Sequence, residues 1–205
     1  MYKLLEDGRF NIKGFQTASP FASFLPGISG TDGIPLWAFY VNRGQGMASF
    51  GVDNKDNAML EFLPANKAYQ YVSTQGFRTF LKATRSEETV EYEPFNEESD
   101  VISDEMTIAD NHLELTHTHK QLGLKMKVVY FTLPHKGIPG LVREVTITNT
   151  RDEPISLQGI DGLASMFPAN VDDAGYKSIS NTFKSWFDAS VVNDKFTYYL
   201  SLIHI

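Results

Sequence analysis

The chain contains no cysteine. Disulfides and thiolate-bound metals are therefore excluded, although the compartment is not fixed by this alone. Apolar runs of about 18 residues, the length that carries a helix across a bilayer, are also missing. Basic residues are the minority, with 18 Lys and Arg against 25 Asp and Glu and a net charge of −7. They are scattered, whereas a nucleic-acid surface needs a basic stripe that displaces counterions. Neither nucleic acid nor membrane is an expected partner. The opening residues, Met-Tyr-Lys-Leu-Leu-Glu-Asp-Gly-Arg, meet charge and a turn too early for a signal peptide. A cytoplasmic protein is the expectation. Gly-x-Ser-x-Gly, a Walker loop and His-Glu-x-x-His are all lacking.

What is present is a core. Of the 205 residues, 42% are hydrophobic and 13% aromatic, enough for one well-buried domain. The patterning is that of strands. Tyr2 to Leu5 and Arg9 to Ile12 flank Asp7-Gly8, a hairpin turn pair. Met47 to Val52 and Ala58 to Leu63 flank a polar turn. Tyr69 to Ser73 and Phe77 to Leu81 flank Gln75-Gly76 and are expected to pair. His112 to His119, Leu124 to Leu133 and Leu141 to Asn149 follow, and the first and last alternate. On the last, Arg143 shares a face with Val145 and Ile147. Pro154 to Ile160 ends the series. Short turns between strands predict a mainly β, antiparallel sandwich rather than a βαβ fold. The one expected helix is short, near Ala174 to Phe183. Ser86 to Glu105, with nine acids and no base, is expected to be a solvated loop; its acids lack the spacing of a calcium loop.

The densest stretch, Phe21 to Val52, interleaves aromatics with glycine. Gly44-Gln-Gly46 lacks the strand–helix context of a dinucleotide loop. Asn42, Arg43 and Gln45, polar groups on that glycine-flexed turn, are the candidate ligand-binding residues; their other role is to close the turn. Trp37, Tyr40, Tyr69, Tyr71 and Trp186 offer planes that suit a sugar ring but also suit a core. His117 and His119 share a strand face without an evident third metal ligand, and His112 falls on the other face. No metal site is assigned. Asp161 and the Asp172-Asp173 pair lie beside turns. A glycoside-cleaving role would need two carboxyls at a separation that sequence does not give.

The segments Phe24-Leu-Pro-Gly-Ile-Ser-Gly, Gly33-Ile-Pro-Leu-Trp-Ala-Phe-Tyr-Val-Asn-Arg-Gly-Gln and Ala48-Ser-Phe-Gly resemble the N-terminal region of the cellobiose-phosphorylase-like glycoside phosphorylases. So do Glu61-Phe-Leu-Pro-Ala-Asn-Lys-Ala-Tyr-Gln, Gly76-Phe-Arg-Thr-Phe, Tyr130-Phe-Thr-Leu-Pro, Gly140-Leu-Val-Arg and Asp161-Gly-Leu. The resemblance spans about Tyr2 to Trp186. It implies a galactose-mutarotase-like antiparallel β-supersandwich ahead of an (α/α)6 barrel, with homodimers at full length. It also implies phosphate-dependent, inverting cleavage of a β-glucoside disaccharide or β-glucan oligosaccharide to a sugar 1-phosphate. Inorganic phosphate is the co-substrate and no cofactor is needed. The family's catalytic aspartate lies in the barrel, so no catalytic residue is assigned in this chain, and the fragment alone is expected to be inactive.

The family is longer than this chain, which places residues 1–199 as a sandwich incomplete at its C-terminal end. Residues 200–205, Leu-Ser-Leu-Ile-His-Ile, read as the translation of a sequencing-adapter end; a genuine final strand is the other reading. The alternative function is a free-standing carbohydrate-binding β-sandwich without catalysis.

Overall fold

The computed structural model describes residues 2–26, 34–133, 136–163, 166–167, 174–175 and 178, and the backbone of 187–192 and 196–201. In chain order the elements are β1 (Tyr2–Leu4), β2 (Phe10–Lys13), β3 (Ala22–Leu25), β4 (Leu36–Val41), β5 (Met47–Val52), β6 (Ala58–Leu60), α1 (Ala65–Gln75) and β7 (Phe77–Arg85). Then come β8 (Glu88–Tyr92), β9 (Ile102–Ile108), β10 (His112–His119), β11 (Leu124–Thr132), β12 (Leu141–Asn149), β13 (Ser156–Leu163), β14 (Phe187–Val192) and β15 (Phe196–Ser201). The chain is mainly β with antiparallel sheets, as the turn-separated alternation predicts. Among the described residues, no helix is long and apolar enough to cross a membrane.

A six-stranded sheet runs β1-β2-β9-β10-β11-β12, and a four-stranded sheet runs β3-β4-β5-β6. Alternation explains why they pack together. In β10 every second residue is buried, and Leu113 and Leu115 point into the same core as Met126, Val128 and Tyr130 of β11. Ala38, Tyr40, Met47, Phe50 and Leu60 of the smaller sheet meet them there. A three-stranded sheet, β13-β7-β8, lies alongside, with Leu81, Ala83 and Tyr92 packed on Leu122 and Leu124. The reverse face of the four-stranded sheet is covered by α1, where Ala68 and Val72 bury against Phe39 and Val41.

Helix α1 overturns the strand expected at Tyr69 to Ser73 and the turn expected at Gln75-Gly76. Tyr69, Tyr71, Val72 and Thr74 have β propensity, but it is overridden by context. Pro64 opens the helix, Ala68 and Val72 lie four residues apart on one face, and the Gly76 N–H closes on the Val72 carbonyl at 3.0 Å. The acidic segment is corrected as well. Rather than one solvated loop, it holds β8 and the start of β9. Three of its nine acids pair with cations: Glu91 with Lys82 at 2.9 Å, Glu93 with Arg78 at 2.6 Å, and Glu105 with Lys13 at 3.4 Å. The expected helix at 174–183 falls largely outside the described residues, as do Trp186 and the Asp172-Asp173 pair.

Candidate functional site

The turn joining β4 to β5 holds all three candidate residues. Gly44 and Gly46 take φ of 53° and 79°, in the left-handed region where a side chain is strained. A side chain at Gly44 would also press on the Ser73 backbone of α1 at 3.2 Å. The turn closes through the Gly46 N–H to the Arg43 carbonyl at 2.9 Å and the Val41 N–H to the Gly46 carbonyl at 2.8 Å.

From this turn the three side chains diverge. Asn42 is fully buried. Its Nδ2 donates to the carbonyls of Phe15 and Ser19, both at 3.1 Å, and its Oδ1 accepts the Phe21 N–H at 3.0 Å. Arg43 is half-buried and donates to the Asn42, Ala18 and Phe15 carbonyls at 2.6, 2.9 and 3.3 Å. Both residues thus hold the β2–β3 connection in place. Arg43 also flanks a cleft of about 210 Å³ with Gln16, Tyr69, Ser73, Asn96 and Glu97. Gln45 points the other way, into the protein.

There Gln45 joins a network that residue types alone did not reveal. Its Nε2 donates to Thr79 Oγ1 at 2.9 Å, and its Oε1 accepts from Arg143 Nη2 at 2.6 Å. Arg143 pairs with both oxygens of Asp161, donates to the Tyr130 hydroxyl at 3.3 Å and lies over the Phe77 ring at 4.9 Å. The Arg143 side chain is 8% exposed and that of Asp161 40%. Burial is the largest single influence and works against the guanidinium charge, but the hydrogen bonds and charges of Asp161 and Tyr130 together outweigh it, and the Arg143 pKa stays raised. The charge is therefore permanent. Tyr130, wholly enclosed, has its phenol pKa raised by desolvation. The one early signal was Arg143 in an apolar face of β12. A cation on an apolar face needs an anion once it is buried, and Asp161 supplies it.

The histidines form a second buried polar group. His117 Nδ1 lies 2.7 Å from Asp104 Oδ1, with side chains only 1% and 6% exposed. Its Nε2 is buried with no hydrogen-bond partner among the described residues. The Tyr92 and Phe95 rings pack on it at 6.0 and 5.2 Å. Burial pushes the Tyr92 phenol up to about 12. His119 shares the inward face. Desolvation, then the neighbouring His117, lowers its pKa. His112 stands on the opposite face, with Nδ1 2.8 Å from Asn111 Oδ1. Among the described residues no three His, Asp or Glu side chains are placed to hold a metal ion.

The other aromatics divide between core and surface. Tyr40 is buried, and Trp37 donates Nε1–H to the Asn54 carbonyl at 3.0 Å while packing edge-on against Phe62. Tyr69 is half-buried on α1, and Tyr71 is 42% exposed. Compared with protein-family models and with curated proteins, the chain matches neither.

Proposed function

We propose that this chain is the β-sandwich portion of an inverting, phosphate-dependent β-glucoside phosphorylase. In this reading it supplies packing and carbohydrate contact while bond cleavage takes place elsewhere. One observation carries the reading. Five of the segments that carry the resemblance send one polar side chain each, Gln45, Thr79, Tyr130, Arg143 and Asp161, to a single network. Residues far apart in sequence thus act as one structural unit, which supports reading these segments together.

In the proposed reaction, inorganic phosphate attacks the anomeric carbon of a β-linked disaccharide or β-glucan oligosaccharide. The glycosidic oxygen leaves with a proton from a general acid, and a sugar 1-phosphate forms with inversion. Phosphate brings its own negative charge, so no second carboxylate need activate water. No cofactor enters. The general acid belongs to an (α/α)6 barrel outside this chain, and the working enzyme is a homodimer. The charged product cannot cross a bilayer, which suits a cytoplasmic location. Arg43, at its cleft, is the candidate from the turn that faces solvent.

The test is phosphate dependence. A gene product carrying this sandwich with its barrel should release glucose 1-phosphate from cellobiose or a β-linked glucan only with phosphate present. The 205-residue chain alone should release none. Turnover by this chain, or hydrolysis without phosphate uptake by the longer product, refutes the reading.

A further inference from the structure

The three-stranded sheet has two unlike faces. Along β7, Thr79, Leu81 and Ala83 point inward, and Phe80 and Lys82 are exposed on the other side with Arg78. Register places Ile160 of β13 opposite Phe80 and Gln158 opposite Lys82. Glu91 of β8 faces Lys82 from the other flank. Phe80 is 41% and Ile160 75% exposed. Phe80, Lys82, Glu91, Glu93, Gln158 and Ile160 line a shallow concavity of about 500 Å³ on the outer face.

Its charges are already matched. Arg78 makes a two-pronged pair with Glu93 at 2.6 and 2.8 Å, and its guanidinium lies 4.6 Å from the Phe80 ring centre. Lys82 pairs with Glu91 at 2.9 Å. Two cations and two anions leave no net field, so a phosphate, a metal ion or a polyanion would have to break a pair to gain one. What remains is an apolar centre, Phe80 and Ile160, ringed by planar hydrogen-bonding groups held in place by one another. The Gln158 amide makes no side-chain hydrogen bond among the described residues. A neutral ligand with an apolar face and a polar rim fits this arrangement. A β-glucosyl ring has that form, because its equatorial hydroxyls leave both faces to C–H groups.

We propose that the outer face of the β13-β7-β8 sheet binds a β-linked gluco-oligosaccharide. One glucosyl face lies on Phe80 and Ile160, and the hydroxyls bond to Gln158, Glu91 and the Arg78–Glu93 pair. The choice of glucose rests on the phosphorylase reading; the choice of a neutral, two-faced ligand rests on the surface itself. The site is separate from the Arg43 cleft and takes no part in bond cleavage.

The test is a titration of the ¹⁵N-labelled 205-residue chain with cellotetraose and laminaritetraose, with maltotetraose as the α-linked control. At least one β-linked ligand should shift amides in 78–82, 89–93 and 157–161, with a Kd of about 1 mM. Phe80→Ala should weaken binding at least about fivefold, as loss of an aromatic stacking contact predicts. The rest of the spectrum should stay unchanged. Ile160→Ser and Gln158→Ala should each weaken binding less. Shifts confined to the Arg43 cleft, equal affinity of Phe80→Ala, or no shift at all would overturn the proposal. So would self-association through these residues that sugar does not relieve. A barrel-bearing product without phosphorolysis would sink the phosphorylase reading and leave a positive titration standing.

Discussion

Asp161 shares Arg143 with Gln45, Thr79 and Tyr130, whereas among the described residues the Asp104 carboxylate bonds only His117. The first carboxylate answers a cation that keeps its charge at every pH at which a protein folds, and one of its edges remains in water. The second is sealed with a ring whose far nitrogen bonds to nothing described. A buried pair is hard to replace when other polar groups depend on it. It is easy to replace when it stands by itself.

Replacement is therefore the sharpest way to break the comparison. Arg143→Met should destabilise the fold by about 3 kcal/mol, because Asp161, Gln45 and Thr79 lose their common donor together. Adding Asp161→Leu should recover little of it, since Gln45 Oε1 and the Tyr130 hydroxyl still lack their donor. Urea denaturation with a constant m-value would measure both. His117→Leu should cost about 2 kcal/mol by leaving Asp104 unpaired, and Asp104→Val/His117→Leu should recover most of that. Equal recovery in the two double variants would erase the distinction.

Acid provides the next test. The His119 pKa is lower in the fold than the ordinary 6.5. Below that ordinary value the unfolded chain takes up a proton that the native site resists. Stability should therefore be complete above 6.5 and fall as pH drops through 6.5 toward the depressed native value. His119→Gln should flatten that slope, while Arg143→Met should lower the whole curve without changing it. The smallest effect belongs outside both networks. Ser86 and Glu87 form the two-residue turn between β7 and β8 with φ of 50° and 84°. Glu87→Gly should stabilise by about 0.5 kcal/mol in a thermal melt, by relieving left-handed strain.

That turn also shows where sequence reading loses its grip. A tight hairpin announces itself through a glycine at its left-handed position, as Gly8 after Asp7 does with φ of 84°. Ser86-Glu87 gives no such sign, so β8 was hidden among acids. Strands β10 and β12 were legible because one face of each must be apolar or matched. Helix α1 was not, because its tyrosines and valine suit a strand equally well until Ala68 and Val72 find Phe39 and Val41 beneath them. The site divides in the same way. Gln45, Arg143 and Asp161 each stood out individually, but only register and the β4–β5 turn bring them within hydrogen-bond reach. Asp104 and His117 were joined by a β9–β10 pairing that the reading of 86–105 as a loop had ruled out.

The strand order has a consequence in time. β2 pairs with β9, and Asn11 bonds Thr107 across 96 residues of chain. A nascent chain can bring β1 and β2 together early, yet that hairpin must wait for β9 to leave the ribosome before gaining its neighbour. Everything from β3 to β8 emerges in between. Closure of the large sheet is thus a late, long-range event, and folding should be slow with an exposed N-terminal hairpin meanwhile.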